Sequence, residues 1–268
     1  MDCSETSYKC SACKDTGYII KKWEGAGLAE ECKCQEMVRL MKRFNSAMIP
    51  EEFKRSTLDD YKATTEVQEK MKNAAIAYLE EFGQIAYDNQ GREKGHSLGY
   101  IAIVGDQKLN KLTGAQKAET KRKYNNYGLG KTHLLVAISK RLLKRGQKVL
   151  MVSDIALMDE LMMNKRENMD AFNKRMHDLC TIPVLVWDEL GKSAPTEAKK
   201  STYFHIINER YKQRLPILFS SNEDHETLED RIGGASISRI LGMSYGRMYN
   251  VSGPDYRLTG GKSSERSA

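Results

Sequence analysis

A run of glycines followed by a lysine and a threonine, Gly-Leu-Gly-Lys-Thr at 128–132, has the composition of a phosphate-binding loop. In such loops the glycines let backbone N–H groups approach phosphate oxygens, the lysine contacts the β and γ phosphates, and the hydroxyl binds Mg²⁺. The helical pattern of 133–144 would put the phosphates at the positive end of a helix. The predicted ligands of the nucleotide and its Mg²⁺ in this loop are Gly128, Gly130, Lys131 and Thr132.

The loop departs from the full spacing Gly-x-x-x-x-Gly-Lys-[Ser/Thr], because Asn125 stands where the first glycine belongs. A buried strand predicted at 98–104 ends in Gly105, so one interpretation makes Gly105 the displaced first glycine and 106–124 an insertion in the loop. The other interpretation keeps Asn125 in the glycine's place, since asparagine tolerates left-handed backbone conformations. We expect the insertion, with its six basic residues, to be a solvated loop; contact with DNA or a partner is the alternative.

A second motif, Ile-Pro-Val-Leu-Val-Trp-Asp-Glu at 182–189, is an apolar run that ends in two adjacent carboxylates. Buried parallel strands have this continuous apolar pattern, and ligands bind beyond their C-terminal ends. We predict that Asp188 holds the Mg²⁺ and that Glu189 orients or deprotonates the attacking water. The presence of this second motif argues against a chance Gly-Lys-Thr.

Asn222 ends another predicted buried strand, at 216–222, next to the strand of the two carboxylates. In that position its amide could hydrogen-bond the γ phosphate or the attacking water. The alternative, which this one residue leaves open, is an N-cap for the helical segment predicted at 224–232.

Five of the six cysteines lie within the first 34 residues. Two short pairs, Cys10-x2-Cys13 and Cys32-x-Cys34, flank a predicted turn and hairpin, as in a zinc ribbon. Zn²⁺ favours four such thiolates in a tetrahedron, and a cytosolic chain favours zinc over disulfides. Cys3 is an alternative ligand, and Cys180 is expected to be a small core residue.

The composition limits the size of the core and the classes of protein to which the chain can belong. The 268 residues are 40% apolar, which is enough for one substantial core and a small extra module. No run of about 18 apolar residues occurs, and the N-terminal residues are polar, so we expect a cytoplasmic protein without a membrane span or secretory signal. The formal charge of +7 permits nucleic-acid binding without establishing it.

The predicted elements divide the chain into three parts. A zinc-binding module with a connecting helix at 35–46 occupies 1–46, alternating strands and helices make an α/β ATPase domain at 47–259, and 260–268 is a disordered tail. Met37, Leu40, Met41 and Phe44 recur at helical spacing in the connecting helix and are expected to pack. The methionines clustered between 151 and 176 are expected to fill the core.

Taken together, the motifs resemble those of the DnaC/DnaI/IstB-like family of AAA+ ATPases. The C-terminal Gly-Pro-Asp-Tyr-Arg at 253–257 resembles the family's closing motif, and the N-terminal cysteines resemble the zinc module of DnaI-type loaders. The main stretches that carry the resemblance are Gly-Leu-Gly-Lys-Thr-His-Leu-Leu at 128–135, Val-Leu-Val-Trp-Asp-Glu-Leu-Gly at 184–191, Ser-Ser-Asn at 220–222 and Arg-Ile-Gly-Gly-Ala-Ser-Ile-Ser-Arg-Ile at 231–240.

The resemblance implies an AAA+ P-loop core that binds ATP with Mg²⁺, in which Asp188 and Glu189 form the Walker B pair and Asn222 is sensor 1. It also implies that Arg239 is an arginine finger that completes a neighbour's site, and hence a homo-oligomer in the ATP-bound state. Arg231 and Arg257 are weaker candidates for the nucleotide site, each with a structural role as the alternative.

Three functions fit these expectations. The favoured one is an ATP-dependent loader that places the replicative DNA helicase on single-stranded DNA in replication initiation, with zinc in the N-terminal module. The second is an IstB-type helper ATPase for transposition on duplex DNA. The third is a nucleotide-gated adaptor that binds ATP without hydrolysing it.

Overall fold

The computed structural model describes residues 8–23 and 26–255. Cys3, Arg257 and the tail predicted at 260–268 lie outside the described residues. The N-terminal part is an antiparallel hairpin of β1 (Tyr18–Trp23) and β2 (Ala26–Glu31), followed by helix α1 (Cys34–Ser46). A single 3-10 turn at Glu51–Phe53 and the long helix α2 (Glu66–Glu81) then lead to the main sheet.

Five parallel strands form that sheet, in the order β4-β5-β6-β3-β7. The strands are β3 (Leu98–Ala102), β4 (Val149–Ser153), β5 (Val184–Asp188), β6 (Ile217–Ser220) and β7 (Met248–Val251). The helices are α3 (Asp106–Lys111), α4 (Gly114–Lys123), α5 (Lys131–Lys144), α6 (Asp154–Glu167), α7 (Met169–Thr181), α8 (Glu197–Lys212), α9 (His225–Ile232) and α10 (Gly234–Met243).

Burial on both faces explains why the strands have continuous apolar sequences. One apolar cluster packs α2 and α5 against one face of the sheet. A second cluster, around Trp187, Tyr203 and Phe219, packs the five helices from α6 through α10 against the other face. All five residues of β3 and the first four of β5 are buried. Burying each large apolar side chain contributes about 1.5–3 kcal/mol, so the sheet is rigid where its C-terminal edge must position polar groups.

Arg210 holds together the N-terminal ends of β5 and β6. Its fully buried guanidinium donates to the carbonyls of Leu179 and Ile182 at 2.8 Å and of Pro216 at 2.7 Å. Burial lowers the pKa of Arg210 to about 9. These bonds tie the end of α7 and the entries to β5 and β6 to α8, so the two strands that carry the polar site residues start from a shared anchor.

Two expectations about the surface are wrong. Phe44 on α1 packs against the core as expected, and Leu40 is half-buried, but Met37 and Met41 are 57% and 56% exposed, because α1 approaches the core only near its C-terminal end. The segment at 106–124 forms the helices α3 and α4 instead of an irregular loop. Alanine, glutamine, glutamate and lysine are strong helix formers, and buried Leu109 anchors α3 to the protein.

The methionine cluster is divided between core and surface. Met151, Met158 and Met176 are buried, as expected, whereas Met163 and Met169 are each 52% exposed. Cys180 is buried in the cluster around Trp187 and is a core residue. Among the helices within 8–23 and 26–255, none is both long and apolar enough to cross a membrane.

Candidate functional site

The first and last residues of the inserted segment lie side by side in the fold. The Asp106 N–H donates to the Asn222 carbonyl at 3.1 Å, and the buried Asn126 amide donates to that same carbonyl at 3.1 Å. The Asn126 amide also lies 3.4 Å from the Val104 carbonyl at the end of the β3 segment. The two ends of the insertion are therefore adjacent, and the chain around it forms one continuous loop.

With 106–125 left out, Gly105 precedes Gly130-Lys-Thr at the full phosphate-loop spacing. A side chain at Gly105 would lie within 2.8 Å of the Asp224 backbone nitrogen, so only glycine fits. Asn125 does not have a positive φ, and its amide instead donates to the Tyr127 and Gly253 carbonyls at 2.9 and 2.7 Å. The structure favours Gly105 over Asn125 as the first glycine.

Both glycines of the second half of the loop have the left-handed backbone that the motif requires. The φ angle is +66° at Gly128 and +82° at Gly130. A Cβ at Gly130 would lie 2.5 Å from the Tyr61 ring, and one at Gly128 would collide with Asp255. The backbone of this loop therefore runs close to its neighbours and then enters α5 directly.

Lys131 is buried and held by neutral oxygens. Its Nζ donates to the Asn222 Oδ1 at 2.6 Å and to the carbonyls of Asn126 and Ser221 at 2.9 and 3.2 Å. Burial lowers the pKa of Lys131 to about 8, against the opposing attraction of Asp188, Asp106 and Glu189. An ammonium placed in this way, at the start of α5, is suited to bind phosphate oxygens.

The hydroxyl of Thr132 faces the first carboxylate of the acidic pair. Thr132 Oγ1 donates to Asp188 at 2.9 Å, and the Ser220 hydroxyl also donates to Asp188. Burial raises the pKa of Asp188, while these two hydroxyl bonds oppose the rise. A hydroxyl and a carboxylate in contact are oxygen ligands of the type that Mg²⁺ binds together with phosphate, so these residues fit the ion.

Glu189 has a φ of +56°, the left-handed region that is uncommon outside glycine. Its N–H donates to the Ser220 hydroxyl at 3.0 Å, so Ser220 positions both acids of the pair. The Glu189 carboxylate lies at the edge of the pocket and pairs with Lys192 at 2.6 Å. Ser220 was not among the predicted site residues, although its place at a strand end, directly before Ser221 and Asn222, was a signal that could have found it.

One cavity of about 360 Å³, large enough for a nucleoside phosphate, is lined by Lys131, Thr132, Glu189, Ser220 and Asn222. Asp188 adjoins this lining through its bonds with Thr132 and Ser220. The cavity lining also includes Phe53, Tyr61 and Gln68, which lie far before the phosphate loop in the sequence. The Tyr61 hydroxyl donates to the Leu129 carbonyl at 2.6 Å, and burial raises the pKa of Tyr61. The sequence analysis missed this part of the lining, because a Ser-Thr-Leu-Asp-Asp-Tyr stretch before a helix carries no phosphate motif.

Asn222 does not cap a helix. Asp224 is the N-cap of α9, accepting from the Thr227 N–H at 3.1 Å, while the Asn222 amide oxygen accepts from Lys131. The N-cap interpretation of Asn222 is therefore wrong. The side chain lies in the cavity beside the phosphate loop, where the sequence motif predicted it.

The structure does not bring Arg239 into the pocket of its own chain. From α10 its guanidinium donates to Asn208 Oδ1 at 2.8 Å and lies 4.8 Å from the Phe204 ring centroid. Arg231 instead donates to the Gly191 carbonyl at 3.1 Å and pairs with Glu223 at 3.3 Å. These bonds fit the structural interpretation of Arg231.

A second site lies in the N-terminal hairpin. The sulfur atoms of Cys10, Cys13, Cys32 and Cys34 all lie within 4.8 Å of one another, with 3.8 Å between Cys10 and Cys32 and 3.5 Å between Cys13 and Cys34. Four thiolates at about 2.3 Å from one Zn²⁺ would be spaced by roughly 3.8 Å, so this set fits zinc. The Cys-x-Cys pair can supply two ligands because Cys32 directly follows β2 and Cys34 begins α1, so the chain turns between them.

Comparison with known proteins identifies the family. Residues 107–260 match the family described as IstB-like ATP binding protein, which is more than half of the chain. The chain belongs to the IstB-like ATP-binding protein family. The predicted resemblance to the DnaC/DnaI/IstB-like group and the α/β fold are confirmed.

Individual relatives within and around this family match about half of the chain. A putative ATP-binding protein of insertion sequence IS21 from Pseudomonas aeruginosa is 29% identical over 136 residues, 49% of this chain and 49% of the relative. The replicative helicase loader DnaC of Escherichia coli (strain K12) is 28% identical over 134 residues, 50% of this chain and 55% of the relative. The matched segments thus span about half the length of these curated relatives.

Solved structures extend the similarity of fold beyond the matched sequence. The DnaC helicase loader has a TM-score of 0.57 at 19% identity, covering 76% of this chain and 100% of that one. DnaI has a TM-score of 0.52 at 20% identity, covering 78% of this chain and 94% of that one. The IstB-like chain therefore shares the fold of these two structures over about three quarters of its length.

The lowered pKa of Lys131 predicts a pH dependence of nucleotide affinity. The ammonium attracts phosphate and the neutral amine does not, so affinity should fall as pH rises through about 8. At one pH unit above that pKa about a tenth of the lysine is charged, which gives up to about tenfold weaker ADP binding than at pH 7. Calorimetric titration of ADP at both pH values measures the effect. Lys131→Arg keeps its charge and should flatten the profile; an equally steep profile in that variant would assign the titration to another group.

The cysteine cluster predicts a structural zinc ion. Purified protein should contain about one Zn²⁺ per chain by elemental analysis, because four thiolates complete the coordination shell. Cys13→Ser and Cys32→Ser should each lose most of the metal, whereas Cys180→Ala, which changes a distant core thiol, should keep it. Equal zinc content in all four proteins would refute the site.

Proposed function

We propose that this IstB-like protein is an ATP-dependent loader of a replicative DNA helicase onto single-stranded DNA. The observation that carries the proposal is the meeting of Lys131, Thr132 and Asn222 at one cavity, with Asp188 bonded to Thr132, in a chain that also carries a four-cysteine module. The cavity supports a nucleotide-driven cycle. The cysteine module supports the loader in particular, because it resembles the module of DnaI-type loaders.

The positions of the residues around this cavity suggest a separate role for each of them in ATP hydrolysis. Lys131 and the N–H groups at the start of α5 bind the β and γ phosphates, and Thr132 with Asp188 holds Mg²⁺, which when bound neutralises phosphate charge. Glu189, aimed by its own left-handed backbone and by Ser220, orients or deprotonates water. The Asn222 amide oxygen accepts from Lys131, and its amide nitrogen would donate to the γ phosphate in the role of sensor 1.

Arg239 is assigned to a neighbour's pocket in an ATP-bound homo-oligomer. It is partly exposed on α10, and it is absent from the lining of the cavity described above. Its bond to Asn208 and the nearby Phe204 ring hold the guanidinium at the surface of α8 and α10. An arginine in trans would stabilise the charge that develops during phosphoryl transfer.

The N-terminal module, at 1–46, is assigned to the helicase contact, and 47–259 to the ATPase. Large apolar side chains stand exposed on the hairpin and on α1 rather than in a core. They are Ile20 at 75%, Leu28 at 65%, Met37 at 57%, Met41 at 56% and Val38 at 39% exposed. An exposed apolar surface of this kind on a small module is typical of a protein-binding site.

A transposition helper is the second candidate, supported by the IstB-like family description and by the IS21 relative. The two candidates differ in partner and in DNA form. Affinity purification with a replicative helicase and with a transposase, each with single-stranded and duplex DNA, separates them. ATP-dependent retention of the transposase alone would replace the loader by the helper.

Hydrolysis is tested by phosphate release in the presence of the helicase and single-stranded DNA. Glu189→Gln removes the base but keeps the shape, so we expect release to fall by about a hundredfold or more with nucleotide affinity kept. Lys131→Ala should instead lose nucleotide affinity. Loading is measured as helicase retained on circular single-stranded DNA after gel filtration. A wild type no faster than Glu189→Gln would support the adaptor that binds ATP without hydrolysing it.

The ion pair between Lys192 and Glu189 predicts a restraint on the proposed base. Exposed pairs contribute about 0.2–1 kcal/mol, so Lys192→Ala should raise basal phosphate release by up to about fivefold. Lys200→Ala is the matched control, because Lys200 pairs with Glu197 at the same sequence spacing but outside the cavity. If both variants change turnover equally, the pair does not restrain Glu189.

A further inference from the structure

The inserted helices α3 and α4 carry a concentrated positive charge. Residues 106–124 include six basic side chains and two acidic ones, Asp106 and Glu119. Three of the basic residues, Lys121, Arg122 and Lys123, are consecutive in the last turn of α4 and are exposed. Basic residues at a helix C-terminus also interact favourably with the helix dipole, but that interaction does not require three consecutive cations.

Among the described residues these cations lack the carboxylate partners that several basic residues on other helices have, and Lys123 lies 5.2 Å from the ring centroid of its neighbour Tyr124. Lys70, Lys200 and Lys212 each pair with a glutamate three or four residues away. In the part of the chain that the structure describes, no carboxylate pairs with Lys111, Lys121, Arg122 or Lys123. The insertion therefore presents uncompensated cations to solvent, which is the charge pattern that a nucleic-acid backbone binds.

The other end of the insertion is fastened to the nucleotide cavity. Lys108 on α3 pairs with Asp224 at 3.0 Å and with Glu226 at 2.7 Å, just after Asn222. Asp106 accepts a hydrogen bond from the hydroxyl of Tyr127, which lines the cavity. Binding of a ligand to α4 would therefore affect the phosphate loop and the segment after Asn222 through these contacts.

We propose that α3 and α4 form a nucleic-acid-binding arm whose occupancy changes nucleotide affinity at the phosphate loop. The ligand chemistry is the phosphodiester backbone, bound through the exposed cations of α4. By linkage, nucleic acid and nucleotide must change each other's affinity by the same factor. The coupling rests on the proposed function; the binding does not, because it is measured without nucleotide.

The experiment compares the full chain with a variant that has Lys121→Gln, Arg122→Gln and Lys123→Gln. Glutamine is a strong helix former, so α4 should persist, as circular dichroism checks. The control carries Lys70→Gln, Lys200→Gln and Lys212→Gln and loses the same charge from paired positions. Fluorescence anisotropy with a labelled oligothymidylate and with a duplex of equal length is recorded over a range of salt concentrations, without nucleotide.

The α4 variant should lose about tenfold or more in oligonucleotide affinity at low salt, and the slope of log affinity against log salt should shrink by about two for three lost single-strand contacts. The control should change much less. A loss in the single-strand arm or in the duplex arm identifies the form bound. Equal affinity of the variant and the control in both arms overturns the proposal and leaves the insertion as a solvated pair of helices.

The coupling is tested by ADP titration with and without saturating oligonucleotide. The wild type should show a change in ADP affinity that the α4 variant lacks. Tyr127→Phe, which removes the contact with Asp106, should keep oligonucleotide affinity in the nucleotide-free protein and reduce the change. An ADP affinity that does not respond to oligonucleotide refutes the coupling, whereas a wild type that binds no ADP at all refutes the proposed function instead.

Discussion

The buried ammonium of Lys131 is the constraint on which the site depends. A charge taken out of water is costly unless its hydrogen bonds are all satisfied, and here three neutral oxygens satisfy it. One of those oxygens belongs to the phosphate loop and the other two to the segment that follows β6, so one ammonium joins two parts of the chain that are distant in sequence. Phosphate would replace weak neutral acceptors by an anion, which gives the nucleotide a direct means of rearranging Asn222.

Ser220 supplies a second connection, between the two acids. Its hydroxyl accepts from the Glu189 N–H and donates to Asp188, and Asp188 in turn accepts from Thr132 at the start of α5. The chain of bonds therefore runs from β6 through β5 to the phosphate loop. Arg210 and the apolar clusters hold the N-terminal ends of β5 and β6 in place. The C-terminal ends of these two strands are therefore positioned beside the cavity.

Much of this could be predicted from sequence, since parallel strands buried on both faces have apolar runs that end in polar side chains. The runs before Gly105, Asp188 and Asn222 therefore located three strand ends and the cavity between them. The part of the cavity lining around Tyr61 could not be found in this way, because Tyr61 lies 68 residues before Leu129 and reaches the loop only through a hydrogen bond that forms in the folded protein. The exposure of Met37 and Met41 could not be predicted for a related reason. Helical spacing shows which residues share a face of a helix, but not whether another element covers that face.

The central claim is that the phosphate loop is complete across its insertion, with Gly105 and Gly130 belonging to one nucleotide site. The most direct measurement is calorimetric titration of Mg-ADP into the wild type and into a variant that joins Gly105 to Asn126 by deleting the residues between them. The account predicts one nucleotide per chain in both proteins, with affinities within about threefold, since the ends of the insertion already lie side by side. No nucleotide uptake by the wild type, or uptake that vanishes when the folded variant lacks the insertion, would contradict it.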